Sequence, residues 1–450
     1  MAAWYELDLA QAAASVRDGA VSCVDLTRAC LERIDALDPE VHAWVTIKHD
    51  EVMREAALLD AERERGAMLG ILHGVPVGVK DVFYTAGLRT AAGSPTMADF
   101  VPSSDATAVH RLRRAGALIL GKTATTEFAY LDPSPTRNPW QLDHTPGGSS
   151  SGSAAALAAR MCFGALGTQT VGSTIRPAAY CGVVGLKPTY GRISRAGVVP
   201  LAEGLDHVGI LTRSVTDAAL ILQAVAGHDP DDPRSSSQPV PDYLDAVKKA
   251  AKPARLGLLR SGIFAEADQD VVTHLEKTVE TLERAGVQVI EAEAPKTLAQ
   301  TAQALAVEVA YEAAKWGRAI PGKDRARLGQ KIRELIERGL QITREQFAQA
   351  ERLRQRFQAE VTRLFERFDL LLAPSTPAGA PQGLASTGDP RFIAPWTFAG
   401  VPVLGIPVGL DRRRLPLGAQ LISAPFSEDR LLGYGRWCET QIAFNLAAPV

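Results

Sequence analysis

Two rhythms of apolar residues alternate along this chain. Apolar positions three and four apart mark amphipathic helices, and short apolar runs bounded by Gly, Pro and polar residues mark buried strands. Ser22-Cys23-Val24-Asp25 reads as the capped start of a helix over 22–35, with Leu26, Leu31 and Ile34 on or near one face. A strand at 43–47, a charged helix at 51–65, a short buried strand within 72–81, a helix at 105–115 and a strand at 117–120 follow. The run of Ala residues from Ser153 to Ala159 is a strong helix former. Further on, the pattern predicts a helix at 215–226 and a strand–helix–strand unit at 255–259, 269–286 and 287–291. Helices at 297–318 and 325–339 come next. The longest helix, 343–368, has apolar residues at 347, 350, 353, 357, 361, 364 and 365. Strands at 370–373, 401–408 and 418–422 complete the series. Strands and helices alternating from end to end predict one α/β body. No repeat period is visible, and the one candidate seam is 228–254, which opens with a polar, Pro-rich excursion.

Composition narrows the class. The 450 residues are 46% hydrophobic and 22% charged, so a large core is available. A formal net charge of -2 provides no general attraction to nucleic acid or acidic lipid. The five cysteines have neither CxxC pairs nor zinc spacing, which points to a reducing compartment and no structural metal. The first residues carry acids where a secretory signal needs bases. The most apolar span, 154–166, is interrupted by Arg160 and Gly164, so no membrane helix is expected and the cytoplasm is the expected location.

The densest concentration of small and hydroxyl residues runs from Thr145 to Tyr190. It opens with Gly147-Gly148-Ser149-Ser150-Ser151-Gly152 and returns to small residues at Gly164, Gly167, Gly172 and Ser173. A Gly/Ser linker would separate two units, whereas this one feeds directly into a helix former, which suggests backbone folded around a ligand. Three nucleophiles compete. Ser150 is the centre of a literal G-x-S-x-G, although no buried strand precedes it, and His207, His228 and His274 have no evident acid partner. Cys162 and Cys181 lie in apolar surroundings that suit inert thiols. A serine paired with a lysine is the third option. Lys80 ends the apolar run 75–79, and burial there would favour its neutral, basic form, with a second serine relaying the proton. Backbone N–H groups near Gly147, Gly148 and Gly172 could then approach a developing oxyanion. Spacing permits this arrangement without selecting it. One further pattern, Gly116 to Thr123, matches a phosphate loop, but its strand lies between the glycines instead of before them, so nucleotide binding is not expected.

Taken together, four blocks resemble the amidase signature family: Leu72-His73-Gly74-Val75-Pro76-Val77-Gly78-Val79-Lys80-Asp81, Gly121-Lys122-Thr123 through Glu127-Phe128-Ala129, Thr145-Pro146-Gly147-Gly148-Ser149-Ser150-Ser151-Gly152-Ser153-Ala154, and Gly182-Val183-Val184-Gly185-Leu186-Lys187-Pro188-Thr189. Weaker echoes at 370–374 and 415–422 extend the match nearly to the C-terminus. The resemblance implies a single α/β/α domain over 1–450, with a mixed central sheet covered by helices on both faces and a catalytic core at about 70–215. It implies C–N bond hydrolysis by Lys80 as base, Ser149 on a cis peptide as relay and Ser173 as nucleophile. The oxyanion hole would be the N–H groups of Thr170, Val171, Gly172 and Ser173.

No cofactor or metal is implied. The expected partner is a small amide or carbamate, with neither nucleic acid nor membrane involved, and the chain is expected to be a monomer or homodimer. GTQTVGSTIRPAAY resembles broad-range amidases, some of which cleave urethanes. Tyr130, together with Phe128, Trp140 and the loop 384–396, is a candidate to line the pocket. The signature is also shared by amidotransferase subunits that release ammonia from glutamine or asparagine. Three positions depart from the usual pattern: Gln169 replaces an Asp, Arg176 comes one residue late, and Val171 replaces a glycine, so Val171 is expected to avoid positive φ.

Overall fold

A computed structural model describes residues 3–450. Eleven strands form one sheet: β1 (Trp44–Ile47), β2 (Pro76–Lys80), β3 (Leu118–Thr123), β4 (Gly164–Gln169), β5 (Val184–Lys187), β6 (His207–Thr212), β7 (Arg255–Leu258), β8 (Gln288–Glu291), β9 (Leu370–Pro374), β10 (Val403–Leu410) and β11 (Pro416–Ile422). Their order is β1-β3-β2-β4-β6-β5-β10-β11-β9-β7-β8. The sheet is mixed, because β2 runs parallel to β3 and β4, whereas β4, β6, β5, β10, β11 and β9 succeed one another antiparallel. Every residue of β2, β3, β4, β5, β6, β9 and β11 is buried. Such strands need cover on both faces, and helices supply it in a single α/β domain.

Sequence order divides the sheet. Strands from 44–212 fill one side and strands from 255–422 the other, and the seam between them is closed by β5 pairing with β10. The segment 228–254 lies between these halves in sequence. It is no bare linker, since it carries the helix Tyr243–Lys249 with Tyr243 fully buried.

Local signals set the ends of the elements. Ser22 caps the helix Cys23–Val41 by accepting from Asp25 N, and Thr343 and Gln346 form a reciprocal capping box for the helix Arg344–Leu364. Gly182 and Gly400, both with positive φ, end the helices Ile175–Cys181 and Ala394–Ala399. The predicted helix at 325–339 is observed as Gln330–Gln341, and the one at 343–368 stops at Leu364. Among the described residues, no helix is long and apolar enough to cross a membrane.

Candidate active site

The C-terminal ends of parallel β2 and β4 lie at one edge of the sheet, the place where open α/β sheets bind ligands. Lys80 is the last residue of β2 and is completely buried. Its Nζ donates to Ser149 Oγ at 2.7 Å and to Thr168 Oγ1, near the end of β4, at 2.7 Å. Among the described residues, no acidic side chain lies within ion-pair distance of it. Burial pushes its amine well below the ordinary lysine value, and the nearby carboxylate of Asp206 opposes that shift.

Ser149 is delivered by a tight turn. Gly147 has φ +81°, the Gly148–Ser149 peptide is cis, and Ser151 Oγ donates to Gly147 O at 2.8 Å. The helix Ser151–Ala158 then begins, buried at all eight residues. A methyl on Gly152 would lie 2.2 Å from Ala43 O, so only glycine lets this helix sit so close to the edge of the sheet.

Ser173 follows β4 and lines a cavity of about 280 Å³. Its carbonyl accepts from Ser150 N at 3.3 Å, which draws the two serine segments together. Among the described residues, no hydrogen bond links Ser149 Oγ to Ser173 Oγ. Catalytic hydrogen bonds of this kind often tighten only when substrate binds. The N–H groups of Thr170, Val171, Gly172 and Ser173 donate to no acceptor in the described protein, and Val171 avoids positive φ.

The competing candidates lie in other surroundings. Ser150 is fully buried, and its Oγ donates to Thr168 O at 3.3 Å and accepts from Thr168 N at 3.2 Å, both on β4. His207 Nδ1 bonds Leu205 O at 2.6 Å, and burial beside Lys187 drives the ring well below its ordinary range, so it is neutral. His228 bonds Ser235. Burial pushes the Cys162 thiol up to about 12 and raises that of Cys181 as well, which leaves both unreactive. The phosphate-loop pattern is occupied by β3 itself, and Lys122 is committed to Asp81, Thr90 and Phe83 O.

Gln169 and Arg176 do not pair with each other. Gln169 Oε1 accepts from Thr174 N and Ile175 N at 2.9 and 3.0 Å, while its Nε2 donates to Thr397 Oγ1 at 2.9 Å. Thr397 Oγ1 in turn donates to Val171 O at 2.7 Å. A neutral amide can accept and donate at once, which a carboxylate cannot do. Arg176 ties Gly148 O (2.7 Å) to Gly388 O (2.7 Å) and Thr387 Oγ1 (2.9 Å), strapping the loop before the helix Ala394–Ala399 over the serine turn. Burial lowers Arg176 to about 10, so it remains a cation.

Three residues at this site carry no signal of their own in the sequence. Thr168 receives the lysine. Thr170 Oγ1 donates to Asp206 Oδ1 at 2.6 Å, and Asp206 Oδ2 accepts from Leu201 N and Ala202 N at 2.9 and 3.0 Å. Burial raises the Asp206 carboxyl to about 6. The only available cue was alternation: Thr168 and Thr170 are two apart.

Ala302, Leu305, Ala306 and Val309, one stripe of the helix Thr301–Gly317, form the apolar wall of the cavity. Tyr130, Leu201, Asp389, Pro390 and Ala394 line it as well, and Arg338 does so from the helix Gln330–Gln341. Phe128 instead packs against Trp316, Trp140 against Phe444, and Trp396 lies fully buried between Phe264 and Phe357. Among the described residues, no three His, Cys, Asp or Glu side chains gather as a metal-binding group.

Residues 25–432 match the model of the Amidase family. The chain is 38% identical over 447 residues to a glutamyl-tRNA(Gln) amidotransferase subunit of Moorella thermoacetica, covering 92% of each. The structure of native peptide amidase from Stenotrophomonas maltophilia superposes with a TM-score of 0.86 at 31% identity, covering 98% of each chain. A 6-aminohexanoate cyclic dimer hydrolase complexed with substrate superposes at 0.89 with 27% identity, covering 100% of this chain and 99% of the other. The chain belongs to the amidase family and is a hydrolase acting on C–N bonds.

Proposed function

We propose that this protein hydrolyses small amides through an acyl-enzyme on Ser173, with Ser149 and neutral Lys80 as the proton relay. Lys80 Nζ takes the Ser149 proton as Ser149 takes that of Ser173. Ser173 Oγ attacks the carbonyl carbon, and the electron pair displaced onto oxygen is met by the free N–H groups of 170–173. As the C–N bond breaks, the proton returns through Ser149 to the leaving nitrogen. Water then gives a proton to the same relay, attacks the acyl carbon and releases the acid, while Ser173 recovers its proton. The observation that carries this reading is the 2.7 Å contact from a buried Lys80 Nζ to Ser149 Oγ, with Ser173 on the adjoining cavity. The stripe from Ala302 to Val309 favours an apolar acyl group, which suits anilides and carbamates as well as primary amides.

A second reading has one observation in its favour. Relatives such as that from Moorella thermoacetica are amidotransferase subunits, and the same relay would release ammonia from glutamine or asparagine for partner chains. Turnover of the purified chain alone, scored on primary amides, anilides, carbamates, esters, glutamine and asparagine, separates the two. Robust hydrolysis of apolar amides without partners supports the first reading, and activity confined to glutamine or asparagine supports the second. A serine-directed phosphonate should mark Ser173; an adduct on Ser150, or an active Ser173→Ala protein, overturns both.

A further inference from the structure

Resting on the relay reading above, we propose that Asp206 is a positioning residue that clamps the oxyanion segment to the cavity wall and sets the pH at which Lys80 becomes a competent base. The antiparallel register of β4 and β6 pairs Thr168 with Val208 and Gln169 with His207, and Thr170 and Asp206 are the residues immediately beyond that ladder. Thr168, Thr170 and Asp206 line one small cavity. Thr168 is held by Lys80 Nζ and Thr170 holds the Asp206 carboxylate, each within hydrogen-bond distance. Amine and carboxylate are therefore each bonded to a threonine that borders the same cavity. The second oxygen of Asp206 secures Leu201 N and Ala202 N, and Leu201 lines the cavity that holds Ser173. One buried carboxylate thus joins the segment meant to receive the oxyanion, the wall that meets the substrate and the surroundings of the base.

The charged and titratable groups around Asp206 are few. Lys80 faces it from β2. Arg195 faces it from the loop after β5, held by Asp232 at 2.9 Å, with its guanidinium over the Tyr190 ring. Glu203, Asp231, Asp232 and Arg234 line the cleft behind it. His207 is uncharged, as its burial and its bond to Leu205 O require. Asp206 is the one charged group acting appreciably on Lys80, and a carboxylate stabilises an ammonium. Burial drives the proton off Lys80 while Asp206 holds it on, so removing the carboxylate lets Lys80 deprotonate at lower pH.

The test measures inactivation of the full chain by phenylmethylsulfonyl fluoride across about pH 5 to 9, a readout that needs no knowledge of the natural substrate. Asp206→Asn retains three hydrogen bonds if its amide donates to Thr170 Oγ1 and its carbonyl accepts from 201 and 202. Its acid limb should move down by about one pH unit. Thr170→Val loses the clamp and one of the bonds that favour the Asp206 anion, so inactivation should slow by about tenfold at every pH while the limb falls by less than in Asp206→Asn. An Asp206→Asn limb that coincides with the wild type, or a Thr170→Val limb that moves as far, overturns the proposal. Should circular dichroism show Asp206→Asn unfolded, Arg195→Gln replaces it. Arg195 favours the Asp206 anion, so removing that cation makes Asp206 easier to protonate and should lower the limb, and an unchanged limb overturns the proposal. A flat wild-type profile, or labelling that survives Ser173→Ala, defeats the relay itself, whereas a clear wild-type limb that Asp206→Asn fails to shift defeats the role of Asp206 alone.

Discussion

Lys80 and Lys122 are near neighbours with opposite natures. They lie on adjacent parallel strands, where Val79 pairs with Lys122 and Lys80 with Thr123, and both side chains are fully buried. Burial lowers both amines. Around Lys122 stand a carboxylate, Asp81 Oδ1 at 3.6 Å, a hydroxyl, Thr90 Oγ1 at 2.7 Å, and the Phe83 carbonyl. The Asp81 charge restores part of what burial removes and leaves Lys122 at about 8, a cation at neutral pH. Around Lys80 stand only two hydroxyls, with Asp206 acting from farther off. Hydroxyls accept from an ammonium and donate equally well to a neutral amine, so they tolerate either state. The neighbours, more than the degree of burial, determine which lysine is structural and which can act as a base.

Substituting methionine at each position should break the comparison most sharply. Lys80→Met should lower turnover by about 10³-fold or more while the protein stays folded. Lys122→Met should instead destabilise the fold by about 3–5 kcal/mol, since Asp81 is left buried without its cation. Urea unfolding and initial rates on the same two proteins read both effects, and a Lys122→Met protein as stable as the wild type would show that the carboxylate is not what distinguishes the pair.

The two neighbouring serines sharpen the contrast further. Ser149→Ala removes the hydroxyl touching Lys80 and should cost about 10²–10⁴ in kcat. Ser150→Ala removes bonds only to the Thr168 backbone, so it should cost about 1 kcal/mol of stability and less than tenfold in rate. The reverse ranking would restore Ser150, the centre of the G-x-S-x-G pattern, as the nucleophile.

The smallest effect is one of linkage. Lys80 is neutral when folded and protonated when unfolded throughout the window between its depressed folded value and 10.5, so the unfolded chain binds the extra proton there and wild-type stability gains with rising pH. The stability of Lys80→Met relative to the wild type should therefore be highest at the low-pH end of that window and fall as pH approaches about 10. A difference independent of pH, measured by denaturant titration at several pH values, would mean that Lys80 is not neutral in the folded protein.

Much of this architecture is legible in the sequence, and the omissions have physical causes. Capping residues such as Ser22 and Thr343 and apolar runs such as 370–373 announce their elements. β4 reads GALGTQ, too small and too polar to look like a strand, yet it is buried at every residue between β2 and β6. The helix Ile175–Cys181 is obscured by Pro177, which its first turn tolerates. Lys80, Ser149 and Ser173 could be singled out only through the family blocks. Thr168 and Asp206 could not, because their partners are 88 and 36 residues away and only the sheet register brings them together. Gln169 and Arg176 stand out in the sequence only as departures from the family pattern, and the structure shows each binding backbone and hydroxyl groups.

The division of the sheet bears on how such an enzyme changes over time. Lys80, Ser149 and Ser173, the groups of the proposed relay, come from the earlier half, whereas the apolar wall, Arg338 and the 389–394 segment belong to the later half, across the β5–β10 boundary. Mutations along the stripe from Ala302 to Val309 can reshape what the cavity accepts while leaving the serine turn alone, whereas changes at Thr387 or Thr397 would loosen that turn or the 169–171 segment. Diversification of diet is thereby open to one helix face of the later half and closed to the segments beside it.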